Sequence, residues 1–144
     1  MSEITISTDK SKLDLAVIQQ FLSHSYWAEG IPIEVVRKGI EHSLCFGVYE
    51  SDRQVGFARV ISDFATYAYL ADVFILESHQ GRGLGKLLMR EIMNHPDLQG
   101  LRRFALATRD AHELYRQFGF TALSRPANHM EIAHPGLYTT KVRK

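Results

Sequence analysis

The stretch Gln80-Gly81-Arg82-Gly83-Leu84-Gly85-Lys86 places three glycines within five residues, directly ahead of an apolar repeat at helical spacing. Glycines let the main chain turn sharply and come close to a ligand, and the first turn of a helix offers unpaired amides at the positive end of its dipole. Such a combination suits an anion, phosphate above all. Arg82 adds a planar fork of donors and Lys86 a point charge. Two nucleotide-binding loops fail the spacing. A G-x-x-x-x-G-K-[S/T] loop needs a magnesium-binding hydroxyl where Leu87 stands and a glycine where Gln80 stands, which argues against a nucleotide phosphotransferase. A dinucleotide fingerprint needs G-x-G-x-x-G at a first β-α-β unit, whereas this chain has G-x-G-x-G past its midpoint. Seven histidines raise the question of a metal, yet His112-Glu113 begins an H-E-x-x-H pattern in which Arg116 takes the second ligand position, so no metal site is expected.

The elements that must hold this loop follow from periodicity. Glu3 to Ser7 alternates as a short strand, and Ser11 with Asp14 forms an S-x-x-D start signal ahead of Leu15, Ile18, Phe21 and Leu22. Pro32 opens a second helix carrying Val35, Val36 and Ile40. Leu44 to Tyr49 and Val55 to Ser62 alternate around a polar turn and read as a hairpin, followed by a strand over Tyr69 to Leu76. Leu84, Leu87, Leu88 and Ile92 mark a helix that stops before Pro96. Phe104 to Thr108 is a further strand, Asp110 is placed to cap a helix over Ala111 to Phe118, and Gly119 stops it. A closing strand pair is expected near Phe120 to Leu123 and His129 to Ile132. The order β-α-α-β-β-β-α-β-α-β-β gives a mixed α/β sheet in a single domain over 1–144.

Composition narrows the partners. Seventeen Lys and Arg against sixteen Asp and Glu leave a formal charge of +1, too little for the electrostatic attraction on which nucleic-acid binding depends. The lone Cys45 has no disulfide partner and sits in an apolar alternating run, as a small buried side chain does. Met1 to Lys10 lacks an apolar signal segment, and no apolar run reaches the roughly 20 residues that cross a bilayer. A cytoplasmic protein is expected, with neither nucleic acid nor membrane as partner.

Gln80, Gly83 and Gly85 fit Q-x-x-G-x-G, and Ala111-His112-Glu113-Leu114-Tyr115-Arg116-Gln117-Phe118-Gly119-Phe120 fits A-x-x-L-Y-x-x-x-G-F. On these two motifs and the element order, the chain resembles the GCN5-related N-acetyltransferase (GNAT) family. The resemblance implies an acyl-CoA N-acyltransferase fold, a mostly antiparallel sheet splayed between strands four and five and flanked by helices. It implies acetyl-CoA as cosubstrate, no metal, and transfer of the acetyl group to a primary amine of a small molecule or peptide, with a homodimer as a possible assembly. A module of the same fold that binds acyl-CoA without turnover is the competing expectation.

Roles follow by position. The resemblance assigns Gln80, Gly81, Arg82, Gly83, Leu84, Gly85 and Lys86 to the pyrophosphate, and the strand segment Val73, Phe74 and Ile75 to the thioester and pantetheine. Thr108 stands where the family often has Asn, which puts its contact to the pantetheine arm in question. Tyr115, by its type alone either a packing residue or a proton donor, takes the donor role within the motif. Asp72, at a position often acidic in related enzymes, is the candidate base. Tyr26, Trp27, Glu29, Asp63, Phe64, Tyr67 and Tyr69 lie in regions that line or border the acceptor cleft in this family.

Overall fold

The computed structural model describes residues 3–139. Five strands, β1 (Ile4–Ser7), β2 (Leu44–Glu50), β3 (Arg53–Ser62), β4 (Tyr67–Ile75) and β5 (Arg103–Leu106), form one sheet in sequence order. All neighbours are antiparallel except β4 and β5. Helices α1 (Leu15–Ser23) and α2 (Ile33–Glu41) precede β2, α3 (Leu84–Met93) connects β4 to β5, and α4 (His112–Arg116) follows β5.

Both faces of the sheet are covered, so β2 is buried along its length and does not alternate between inside and outside. On one face Phe46, Val60, Leu70, Leu88, Met89 and Ile92 pack α3 onto the sheet. On the other, Ile18, Leu22, Val36, Cys45, Phe57 and Phe74 pack α1 and α2. Phe21 of α1 stacks on Phe74 of β4, ring centroids 4.0 Å apart, which fixes the first helix against the strand that borders the site. Local signals set the helix starts. The Asp14 carboxylate accepts from the Val17 amide and caps α1, while Ser11 belongs to a preceding 3-10 turn capped by Asp9, so the start signal resolves into two separate caps.

Two expectations at the C-terminal end are corrected. Asp110 is not the cap of α4: Ala111 occupies the cap position, and the Thr108 hydroxyl accepts from its amide at 3.1 Å. The closing strand pair is absent, since residues 120–123 and 129–132 lie outside any strand and Met130 and Ile132 are 97% and 90% exposed. Alternation gives a segment strand-forming side chains, but a strand needs a neighbour to share its ladder, and none of the described residues supplies one here.

The sheet opens at a defined place. β4 and β5 pair from Tyr67 with Arg103 to Leu70 with Leu106, and the ladder stops there. Two residues later Asp72 has φ +57, in the left-handed region, and the β3–β4 register slips between Phe57 and Arg59. This is a bulge, which bends the strand and increases its twist.

Buried Gln54 ties the first helix to the sheet, accepting from the Asp14 amide at 2.7 Å and donating to the Gly56 carbonyl at 3.0 Å. Gln54→Leu takes the acceptor from the Asp14 amide and one donor from the Gly56 carbonyl, and should destabilise the fold by about 1–3 kcal/mol in urea denaturation. A loss below about 0.5 kcal/mol would show that neither bond matters to stability.

Candidate active site

The opening between β4 and β5 is a cavity of about 670 Å3 whose walls include Tyr26, Trp27, Tyr69, Asp72, Thr108 and Tyr115. Its floor is the β4 edge beyond Leu70, where β5 no longer pairs. The Leu76 amide donates to the Val55 carbonyl at 2.8 Å, so alternation turns the Phe74 amide toward β3 as well. The amides of Ile75 and, two residues earlier, Val73 are thereby turned toward the open side. The Phe74 side chain is 4% exposed and packs on Phe21, away from the opening. Of the expected trio, Val73 lines the cleft, Ile75 lies beyond its lining on the same strand edge, and Phe74 anchors the strand.

Asp72 organises the aromatic wall of the cleft. One carboxylate oxygen accepts from Arg59 Nε at 2.8 Å and the other from the indole of Trp27 at 2.9 Å. The Arg59 and Asp72 side chains are only 21% and 12% exposed, so a partly desolvated ion pair sits behind the cleft wall. Arg59 donates further to Ser43 Oγ at 3.1 Å. The neighbouring Tyr26 meets Trp27 edge to face, accepts from the Arg109 amide at 3.0 Å, and lies under the Arg109 guanidinium at 3.7 Å. The loop between α1 and α2 is thus fastened to both β4 and the β5–α4 connection.

The loop ahead of α3 offers main chain. Gly81 and Gly83 have φ of +80° and +79°, and a Cβ built on either meets nothing within 4 Å. Gly83 is the N-cap of α3, and no side chain caps this helix. The first internal bond runs from the Leu87 amide to the Gly83 carbonyl, which leaves the amides of Leu84, Gly85 and Lys86 outside the helix's own ladder. Gln80, expected as a ligand contact, turns its side-chain amide to the Ile75 carbonyl at 2.9 Å and holds the loop against the end of β4. A second tie comes from β2. Buried His79 donates from Nε2 to Glu50 at 2.6 Å, with Ser78 Oγ 2.7 Å from its other nitrogen, and Glu50 also meets Arg82 at 3.5 Å. That histidine hydrogen bond, then the nearby positive charge, holds the Glu50 carboxyl below its usual range. A Cβ on Gly85 would touch Leu114 at 3.9 Å, so the first turn of α3 adjoins the helix that carries Tyr115.

Residues 41–122 match the family model for the acetyltransferase (GNAT) domain. The chain belongs to the GNAT acetyltransferase family. It is 35% identical to a protein of Gibberella zeae named for acetyltransferase activity, over 76% of this chain and 74% of that one. A solved structure of a GNAT-family protein from Xanthomonas campestris pv. campestris is 55% identical, covers 97% of this chain and 99% of its own, and superposes with a TM-score of 0.94. A Clostridium acetobutylicum structure holding acetyl-CoA shares the fold at 12% identity, with a TM-score of 0.65 over 92% of this chain and 96% of its own.

Against this GNAT frame the expected acceptor residues divide. Tyr26, Trp27 and Tyr69 line the cleft, whereas Glu29, Asp63, Phe64 and Tyr67 do not. Asp63 is turned inward on its own loop: its carboxylate accepts from the amides of Ala65, Thr66 and Tyr67 and from the Thr66 hydroxyl, and these bonds hold it well below the usual carboxylate range. Phe64 and Tyr67 are 47% and 41% exposed outside the cavity. Arg59, Arg109 and Tyr138 line the cleft and were not expected there. Arg59 did carry a signal, a cation inside an otherwise apolar alternating strand.

Trp27 is the only tryptophan of the chain. Asp72→Ala removes the acceptor of its indole hydrogen, and the fluorescence emission should shift to longer wavelength with stronger quenching by iodide. An unchanged spectrum and quenching constant would show that the ring keeps its place without this bond.

Proposed function

We propose that the protein transfers the acetyl group of acetyl-CoA directly to a primary amine of a small molecule or peptide. The observation that carries this reading is that an unpaired strand edge borders an opening with Tyr115 in its wall, while the uncapped start of α3 adjoins the helix that carries Tyr115. The open space in front of Gly81 and Gly83 fits a diphosphate, which main-chain amides would hold together with Arg82 and Lys86. The strand edge at Val73 and Ile75 fits an extended pantetheine arm, which needs amide and carbonyl partners in line. When bound, acetyl-CoA supplies the activated acyl carbon.

The remaining steps belong to this chain. An amide aimed at the developing negative charge on the thioester oxygen contributes about 3 kcal/mol, and the edge amides of β4 are the donors available. The acceptor nitrogen attacks the acyl carbon, the C–N bond forms, the C–S bond breaks, and the nitrogen gives up its proton. An alkylamine of pKa about 10.4 spends most of its time charged at pH 7, a gap of about 4–5 kcal/mol. Removal from water inside the cleft disfavours the charged form, and the Asp72 carboxylate, through its lone pairs not already used by Arg59 and Trp27, takes the proton.

Tyr115 takes the leaving group. Burial, then the neighbouring Tyr26 and Asp110, push its phenol up to about 12. It is therefore protonated across the physiological range and a weaker acid than a thiol of pKa about 8.5. Its hydrogen stabilises the departing sulfur by a charge-assisted bond, and net protonation of the thiolate is completed from solvent.

Two measurements test this reading. Gly83→Glu sets bulk and like charge in the diphosphate space and should abolish acetyl-CoA binding in calorimetry with the circular dichroism spectrum retained; unchanged affinity would refute the loop assignment. Tyr115→Phe should lower kcat about 10- to 100-fold, the worth of a hydrogen bond to a charged group, with KM for acetyl-CoA little changed. Because the folded-state pKa lies above the ordinary tyrosine value, the wild-type rate should show no alkaline fall from this residue below pH about 10. Equal turnover in the two forms removes Tyr115 from the mechanism.

A further inference from the structure

The glycine loop ahead of α3 has little of its own to hold its shape. Gly81 and Gly83 both sit at positive φ with open space in front of them, and no side chain caps the helix that follows. Glycine gives up more conformational freedom on ordering than any other residue, so the order must come from neighbours. Besides Gln80, one carboxylate supplies it. Glu50 closes β2, where it pairs with Ile4 on one side and Arg53 on the other, so its position is set by the sheet. Its Oε1 accepts from His79 Nε2 at 2.6 Å and its Oε2 from Arg82 at 3.5 Å. A single group thus grips the loop on both sides of Gly81. The two grips differ in kind. The His79 side chain is 6% exposed, with its second nitrogen 2.7 Å from Ser78 Oγ, so the ring is buried with both nitrogens engaged. No step of the proposed transfer uses this histidine. The Arg82 contact stands at the outer limit of a hydrogen bond, and that side chain is 46% exposed, as in pairs that contribute little and exchange readily.

We propose that Glu50 is a positioning residue for the acyl donor: locked by His79, it keeps the loop open and parks Arg82 beside it, then yields Arg82 to the diphosphate. This rests on the reading that the loop takes the diphosphate of acetyl-CoA. A diphosphate offers several charged oxygens, which the guanidinium fork matches in pairs, so it outcompetes one carboxylate oxygen at 3.5 Å. The bond to His79 stays, and the shape of the loop with it. Glu50 therefore acts in two opposite senses. Its bond to His79 favours binding, because a loop ordered beforehand has less freedom to lose when a ligand arrives. Its charge opposes binding, since it competes for Arg82 and has the sign of the phosphates. Glu50→Gln separates the two: the amide oxygen still accepts from Nε2, and the charge is gone.

Calorimetry with acetyl-CoA and hydrogen exchange on the ligand-free protein test this together. Glu50→Ala, with its circular dichroism spectrum retained, should weaken acetyl-CoA binding about tenfold, the worth of a hydrogen bond to a charged group. Exchange at the amides of 80–86 should quicken about tenfold in that variant. Glu50→Gln should leave that exchange unchanged and tighten acetyl-CoA about two- to fivefold, the worth of a partly exposed ion pair. Arg82→Ala should then cost more affinity in the Glu50→Gln background than in the wild-type chain, because no carboxylate competes there. If Glu50→Gln loses as much affinity as Glu50→Ala, the hand-over of Arg82 is overturned. Unchanged loop exchange in Glu50→Ala overturns the positioning. A folded wild-type protein that fails to bind acetyl-CoA strikes the donor reading, and the hand-over with it, while loop exchange in Glu50→Ala still decides the tie.

Discussion

The cleft exists because one aspartate adopts a left-handed backbone conformation in the middle of an extended strand. A non-glycine residue at φ +57 costs on the order of 1–3 kcal/mol, less for Asp, whose short polar side chain tolerates the region better than most. Asp72 meets that cost with its own carboxylate, which accepts from Arg59 on β3 and from Trp27 in the α1–α2 loop. The same residue therefore ends the regular course of β4, anchors the neighbouring strand, and fixes the aromatic wall. Remove the bulge and β4 has no reason to part from β5.

The two ends of the site differ in what builds them, and the difference follows from what each must hold. In the proposed reaction a diphosphate is the same in every turnover, and fixed main-chain amides suit it without side-chain entropy to lose. The loop is accordingly glycine, and the side chains near it act inward: Gln80 on the Ile75 carbonyl, His79 on Glu50. The opposite wall is made of side chains, Tyr26, Trp27, Tyr69 and Tyr138, which differ readily between proteins of one fold.

What the sequence made legible was local. Glycine spacing, helical period and the Leu114-Tyr115 motif each span a handful of residues, and the loop, α3 and Tyr115 stand where those patterns put them. The bonds that build the acceptor wall join residues 45 and 83 positions apart, Trp27 to Asp72 and Arg109 to Tyr26, and no spacing rule reaches that far. Asp63, Phe64 and Tyr67 were expected at the cleft from chain position alone. The local hydrogen bonds of the Asp63 carboxylate turn that loop on itself instead. The segment 129–132 shows the complementary failure: the alternation is real, but alternation states that a segment suits a sheet and not that a neighbour stands beside it.

Charge at the cleft bears on how an acceptor is chosen. Arg59 is offset by Asp72, and Arg109, stacked on Tyr26, adjoins Asp110 in the same wall. Two cations and two carboxylates leave little net field to draw an ammonium group in from a distance, and at physiological ionic strength what remains is screened within about 8 Å. Discrimination between amines then falls to contact with ring faces and to the cleft's shape. For the proposed transfer, exclusion of water from this enclosure also favours the uncharged nitrogen, the form that reacts. The low net charge that makes the wall a poor electrostatic attractor is thus also what suits it to the proposed deprotonation of an amine.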